Sequence, residues 1–225
     1  MLRGVIFDFD GVLVDSERAH FEAFRVVLAE HGGFEITFDE YVDHYLAFDD
    51  HRGILRALER HERPAGPARV DDLATLKREV FARLLPSIPF LPGAVELIFM
   101  LAAHGTPVAI ASGAKRHEIE ALLKAQDLLG RFRGIVSADD VDNSKPHPEP
   151  YLRARALLFA SDDPRGVVAI EDSPTGMASA RAANMRVIGV SNSYPRERLG
   201  LAHLVVDSLS DLTLEGMTAV AAGEK

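Results

Sequence analysis

The sequence predicts an α/β fold, a parallel sheet with helices on both faces and a small all-helical unit inserted after the first strand. Three observations carry this. After about residue 89, short continuous-apolar runs such as Val108-Ala109-Ile110-Ala111 and Val167-Val168-Ala169-Ile170 alternate with helical segments. Strands of that kind are buried on both faces, which is the mark of a parallel sheet. A similar run, Val5-Ile6-Phe7, stands near the N-terminus, and residues 16–87 between it and the rest carry helical periodicity without any strand signal.

Taken in order, residues 3–10 read as a buried strand ending in Asp8-Phe9-Asp10-Gly11. Along an extended backbone Asp8 and Asp10 share one side. Ser16-Glu17 then open a helix with Phe21, Phe24, Val27 and Leu28 on one stripe, closing near Gly32-Gly33. Phe38 to Leu46 forms a short amphipathic piece, Ile54, Leu55 and Leu58 mark another, and Arg63-Pro64-Ala65-Gly66-Pro67 is a loop. Asp71-Asp72 are expected to cap a helix carrying Leu73, Leu76, Val80, Phe81 and Leu84. The boundaries so read are a core of 1–15 with 88–225 and a helical insert of 16–87.

Beyond the insert come a helix from Ala94 to His104 and a strand over 107–111. A helix from Lys115 to Gln126, a short strand over 134–137 and a proline-rich turn around Lys145-Pro146 follow. Pro148 and Pro150 suit the first turn of the next helix. A strand over 167–170, a helix opening at Ser173-Pro174, strands over 186–190 and 204–206 and a terminal helix complete the chain.

Composition narrows the partners. The 225 residues suit one large domain or a core with an insert, and the net charge of -9 argues against binding nucleic acid or an anionic membrane. Absence of cysteine excludes disulfides and thiolate chemistry. Met1-Leu2-Arg3-Gly4 run straight into the first strand, leaving no room for a signal peptide, and no apolar run approaches the roughly 18 residues of a membrane span. A cytoplasmic protein, monomer or homodimer, acting without nucleic acid or membrane is the expectation.

Open parallel sheets bind ligands at the carboxyl ends of their strands. Four such ends here deliver Asp8-Phe9-Asp10, Ser112-Gly113, Lys145 and Glu171-Asp172. Each alone has an ordinary explanation. Ser112 reads as a helix N-cap before the segment from Ala114, and Ser173 with Pro174 as the opening of a helix. Lys145 reads as a solvated loop lysine, though it is one of only five lysines. Acids directly after buried strands nevertheless need a partner, and alternating carboxylates suit a hard divalent cation such as Mg2+.

The order Asp8-Phe9-Asp10-Gly11-Val12-Leu13, Ser112, Lys145-Pro146, Glu171-Asp172-Ser173 resembles the four motifs of the haloacid dehalogenase-like phosphohydrolases. With a helical insert after the first strand, the chain is similar to the subgroup of phosphoglycolate phosphatases and beta-phosphoglucomutases. The resemblance implies a Rossmann-like core with a helical cap, hinged at Asp15-Ser16 and at about Ser87 to Pro92. It implies that Asp8 is the nucleophile and Asp10 the general acid and base. It also places Mg2+ on Asp8, the residue-10 carbonyl and Asp172, with Glu171 in or just outside that shell. Phosphate oxygens would be held by Ser112 and the backbone N–H groups of Phe9 and Gly113, with Lys145 neutralising phosphate and nucleophile. His20 and Arg52, with Asp49 and His51, are the candidates for contact with a small phosphorylated metabolite from the cap.

Departures separate the subgroup's chemistries. Mutase members carry a Lys-Gly followed by an Arg early in the cap, where this chain reads Tyr45-Leu46-Ala47-Phe48-Asp49-Asp50-His51-Arg52. Two acids in place of the lysine are expected to repel a second phosphate, which favours a phosphatase, while His20 matches a mutase position. Dehalogenases lack an acid at the place of Asp10. Phosphonate hydrolysis needs a cap lysine, and the insert's only lysine, Lys77, reads as peripheral. A non-catalytic binding protein is expected to have lost Asp8 or Lys145, and both are present.

Overall fold

β1 (Gly4–Phe7) is an interior strand of a six-stranded parallel sheet in the computed structural model, which describes residues 1–46, 48–159 and 163–223. Its partners are β2 (Val108–Ala111), β3 (Ile135–Val136), β4 (Val167–Glu171), β5 (Arg186–Val190) and β6 (Leu204–Val206), in the spatial order β3-β2-β1-β4-β5-β6. The chain steps outward from β1 to β2 to β3, then returns to the other side of β1 as β4. That reversal makes the β1–β4 boundary the topological switch point, where sheets of this order bind ligands. Phe7 pairs with Ile110 of β2 on one side and with Ile170 of β4 on the other.

The first strand is shorter than its sequence suggests. The Asp8 N–H still donates to the Ile170 carbonyl at 2.9 Å, but the Phe9 carbonyl then accepts from both Leu13 N–H and Val14 N–H. Those bonds curl the chain into a turn, completed by Gly11 at φ +71°. Asp10 therefore lies in this turn, past the end of the extended strand.

The chain divides into two compact units, Met1–Asp15 with Pro89–Lys225, and Ser16–Ile88. The second is helical. α1 (Glu17–Val27) continues through a wider π-helical turn, Leu28–Gly32, before α2 (Phe38–His44), α3 (Asp50–Arg60) and α4 (Pro67–Leu84). Their apolar faces bury Phe24, Leu28, Tyr41, Ile54, Leu73 and Ala74 in one core. α4 begins earlier than expected. Pro67 occupies the first helical position, where its fixed φ fits and its missing N–H costs nothing. Asp71 and Asp72 thus lie in the second turn, and Asp71 meets His51 at 3.0 Å instead of capping.

In the sheet-bearing unit α5 (Ala94–Ala103), α6 (Arg116–Ala125), α7 (Glu149–Leu158), α8 (Pro174–Ala182) and α9 (Leu214–Ala222) follow the strands. Tyr151 and Ala154 of α7 and Met177 and Ala180 of α8 pack against Ile6, Ala109, Ala169 and Val187. The alternate residues Val5, Phe7, Val168 and Ile170 are equally inaccessible, so the opposite face is covered as well. Lys115, not Ser112, is the N-cap of α6, and the Glu118 side chain accepts from its backbone N–H at 3.1 Å. Among the described residues no helix is long and apolar enough to cross a membrane.

Candidate active site

Asp8 is the first residue past β1, Glu171 the last of β4, and Asp172 the next, so the switch point brings three buried carboxylates together. One oxygen from each lies within 4.8 Å of the others. The Lys145 ammonium, on the loop before α7, donates to Asp8 Oδ1 at 2.8 Å and to Glu171 Oε1 at 2.6 Å. The Asp10 carboxylate is not part of that carboxylate group, although its charge adds to the field on Asp8.

Close approach is built into the backbone. A Cβ at Gly11, whose φ already excludes most side chains, would overlap the Asp172 carboxylate and the Ser193 hydroxyl. Asn192 Nδ2 donates to the Gly11 carbonyl at 2.8 Å, and the Ser193 hydroxyl hydrogen-bonds Asp172. Residues after β5 thus tie the turn after β1 to the end of β4. A Cβ at Gly176 would likewise overlap the Glu171 carboxylate, which lies against the first turn of α8. Ser173 caps that helix by accepting from Gly176 N–H at 3.0 Å.

The electrostatics are unbalanced. Burial pushes the Asp8 carboxyl up from 3.8 to about 7; Lys145 pulls it down, and Glu171 and Asp10 push it up further. Burial, then Asp8 and Glu171, raise Asp172 well above the usual carboxylate range. Burial works against the Lys145 ammonium, yet Asp8 and Glu171 together raise its pKa above the ordinary lysine value. Three carboxylates against one ammonium leave carboxylates that hold on to their protons in a dry place, and an all-oxygen donor set of this kind fits a hard divalent cation.

Ser112 follows β2, the strand beside β1. It is buried, its N–H donates to the Val136 carbonyl at 2.9 Å, and its hydroxyl accepts from Ala114 N–H at 3.0 Å. Gly113 is exposed and a side chain there would meet open space, while Phe9 is buried. Ser112 and Gly113 thus stand at the same sheet edge as Asp8, Glu171 and Asp172.

His20 and Arg52 belong to the helical unit, where they are not neighbours in kind. His20 Nδ1 faces Lys77 Nζ at 2.8 Å, its ring stacks on Phe81 with centroids 4.0 Å apart, and burial with the Lys77 charge holds its pKa well below 6.5. Arg52 is exposed, and its backbone N–H donates to Asp49 Oδ1 at 3.0 Å, which caps α3. The peripheral reading of Lys77 is wrong: its side chain is 3% exposed and its ammonium also pairs with Asp50 at 2.8 Å. The two acids expected to repel a second phosphate are therefore partnered, Asp50 by Lys77 and Asp49 by Arg52 at 3.7 Å. Ala47, from the same segment, lies outside the described residues.

The model of the family described as haloacid dehalogenase-like hydrolase matches residues 5–190. The chain belongs to the haloacid dehalogenase-like hydrolases. It is 34% identical to protein CbbY of Rhodobacter capsulatus over 87% of this chain and 88% of that protein. It is 32% identical to hexitol phosphatase B of Escherichia coli K12, over 94% and 95% respectively. A beta-phosphoglucomutase structure from Clostridium difficile superposes with a TM-score of 0.81 at 26% identity, covering 99% of this chain and 98% of that one. This haloacid dehalogenase-like hydrolase is an enzyme of the phosphatase class. Three participants in its site escaped the sequence reading, Tyr151, Asn192 and Ser193, and so did the burial of Lys77 within the helical unit. Only Lys77, the insert's single lysine, carried any signal.

Proposed function

We propose that the chain is a Mg2+-dependent phosphomonoester hydrolase acting on a small phosphorylated metabolite through an aspartyl phosphate on Asp8. The observation that carries this is the Asp8 carboxylate at the switch point, held by Lys145 and set among Glu171 and Asp172. Phosphoryl transfer asks the protein mainly for positioning and charge neutralisation. In the first half-reaction an Asp8 oxygen bonds to phosphorus as the ester P–O bond breaks, and Asp10 gives its proton to the departing alcohol oxygen. In the second, Asp10 takes a proton from water as that water attacks phosphorus, and Asp8 is released with inorganic phosphate. Lys145 neutralises Asp8 and the incoming phosphate, and Ser112 with the N–H groups of Phe9 and Gly113 holds phosphate oxygens. Asp8, Asp172 and the Asp10 carbonyl, with Glu171 beside them, would hold Mg2+, which when bound supplies further neutralisation of the phosphoryl oxygens. The helical unit is proposed to select the leaving group, with His20 and Arg52 as its specificity residues.

A sugar phosphomutase is the second reading, favoured by the similarity to a beta-phosphoglucomutase. Hydrolysis of p-nitrophenyl phosphate with and without Mg2+ tests the enzyme, and Asp8→Asn is expected to lower it by about 10⁴-fold or more. Equal activity of wild type and Asp8→Asn would overturn the nucleophile. Incubation with beta-glucose 1-phosphate separates the readings, since free phosphate means hydrolase and glucose 6-phosphate means mutase.

A further inference from the structure

Glu171 has no spare capacity. A carboxylate offers about four lone-pair positions, two on each oxygen. Oε1 accepts from the Lys145 ammonium at 2.6 Å and from the Tyr151 hydroxyl at 2.7 Å. Oε2 accepts from the Ser173 hydroxyl at 3.1 Å and the Ser173 N–H at 3.3 Å. The carboxylate is entirely buried, and Gly176 closes on it so tightly that no side chain fits there. Asp8 and Asp172 differ: Asp8 meets the ammonium through Oδ1 and Asp172 meets the Ser193 hydroxyl, and neither has four donors among the described residues.

Tyr151 is the residue that commits Glu171. It sits on α7, six residues after Lys145, and is fully buried in the sheet core. Its hydroxyl takes the second position on Oε1, and its ring lies 5.1 Å from Lys145 Nζ, a cation–π distance. One side chain therefore touches both members of the Lys145–Glu171 pair. Nothing in packing demands a hydroxyl at a core position; a phenylalanine would fill the same space.

We infer that Tyr151 is a positioning residue that locks Glu171 onto Lys145, leaving Asp8 and Asp172 as the carboxylates that take the divalent cation. Glu171 then sets where the ammonium stands relative to Asp8 and is not a ligand of the ion. The inference rests on the reading of Asp8 as nucleophile for its kinetic consequence, and its cation-binding consequence is independent of turnover.

The test pairs Mg2+ titration calorimetry with steady-state kinetics on p-nitrophenyl phosphate at saturating Mg2+. Asp172→Asn is expected to lose Mg2+ binding by about 100-fold or more, whereas Glu171→Gln and Tyr151→Phe stay within a few-fold of wild type. Tyr151→Phe is expected to lower kcat by about 10- to 100-fold with KM little changed, as loss of a group that orients a reacting residue does. Glu171→Gln with Tyr151→Phe is expected to be no worse than Glu171→Gln alone, because both act on one ammonium. Loss of Mg2+ binding in Glu171→Gln equal to that in Asp172→Asn overturns the inference, as does a Tyr151→Phe enzyme with wild-type kcat. A wild type without Mg2+-dependent hydrolysis would instead overturn the phosphatase reading, and the order of Mg2+ affinities alone would then decide the assignment of Glu171.

Discussion

Both units of the chain bury a lysine among acids, and they balance it differently. In the sheet-bearing unit Lys145 stands against Asp8, Glu171 and Asp172, so there are more carboxylates than one ammonium neutralises and two of them hold on to their protons. In the helical unit Lys77 stands against Asp50 and a neutral His20, and the account closes with one cation and one anion. A closed cluster needs nothing further and serves to hold α1, α3 and α4 together. An open one waits for a cation or for a substrate, which is how a binding site differs from a structural ion pair that uses the same residue types.

That contrast can be broken by experiment. The largest effect is expected in the closed cluster. Lys77→Ala leaves Asp50 and His20 without their shared donor and should cost about 2–3 kcal/mol of stability in urea unfolding, with Mg2+ affinity unchanged. A loss under about 0.5 kcal/mol would show that the cluster is not structural.

The open cluster should respond to pH and to metal. Unfolded Asp8 ionises near 3.8, while folded Asp8 keeps its proton to about 7, so between those values the native state binds more protons. Without divalent cations, stability should therefore fall as pH rises from about 4 to about 7, and Asp8→Asn should reduce that slope, the share that comes from the raised Asp172 remaining. Mg2+ should raise Tm more at pH 8 than at pH 5, because only ionised carboxylates take the ion. A Mg2+ shift independent of pH would place the ion elsewhere.

The smallest effect belongs to His20. Its folded pKa lies below 6.5, so the unfolded state binds more protons below that value and stability should drop as pH falls from about 6.5. The loss should show in urea unfolding compared at pH 7 and pH 5.5, and His20→Gln should reduce it, the part that comes from His203 remaining. This slope runs opposite to that of Asp8, so the two variants assign the two limbs of one pH–stability curve.

Much of the fold was legible because buried parallel strands announce themselves as apolar runs, and their ends as abrupt acids. Asp8, Glu171 and Asp172 were readable on that ground, and Ser112 and Lys145 from their places after two other strands of the same sheet. What escaped was set by contacts distant in sequence. Tyr151 looked like any aromatic on a helix face, and its value lies in a hydroxyl that meets Glu171 twenty residues away. Lys77 looked peripheral because its partners, His20 and Asp50, come from two other helices. The end of β1 was misplaced because the bonds that stop it run from Leu13 and Val14 back to the Phe9 carbonyl, which no apolar pattern encodes.

The sheet order has a consequence for how the chain can be made. The four helices of 16–88 are contiguous, so every contact of their core is available once residue 88 has left the ribosome. β1 precedes them yet has no strand to pair with until β2 at 108, and no β4 beside it until 167. β1 thus waits longest of these strands for a neighbour, and the Asp8 carboxylate at its tip meets Asp172 only after β4 has been made.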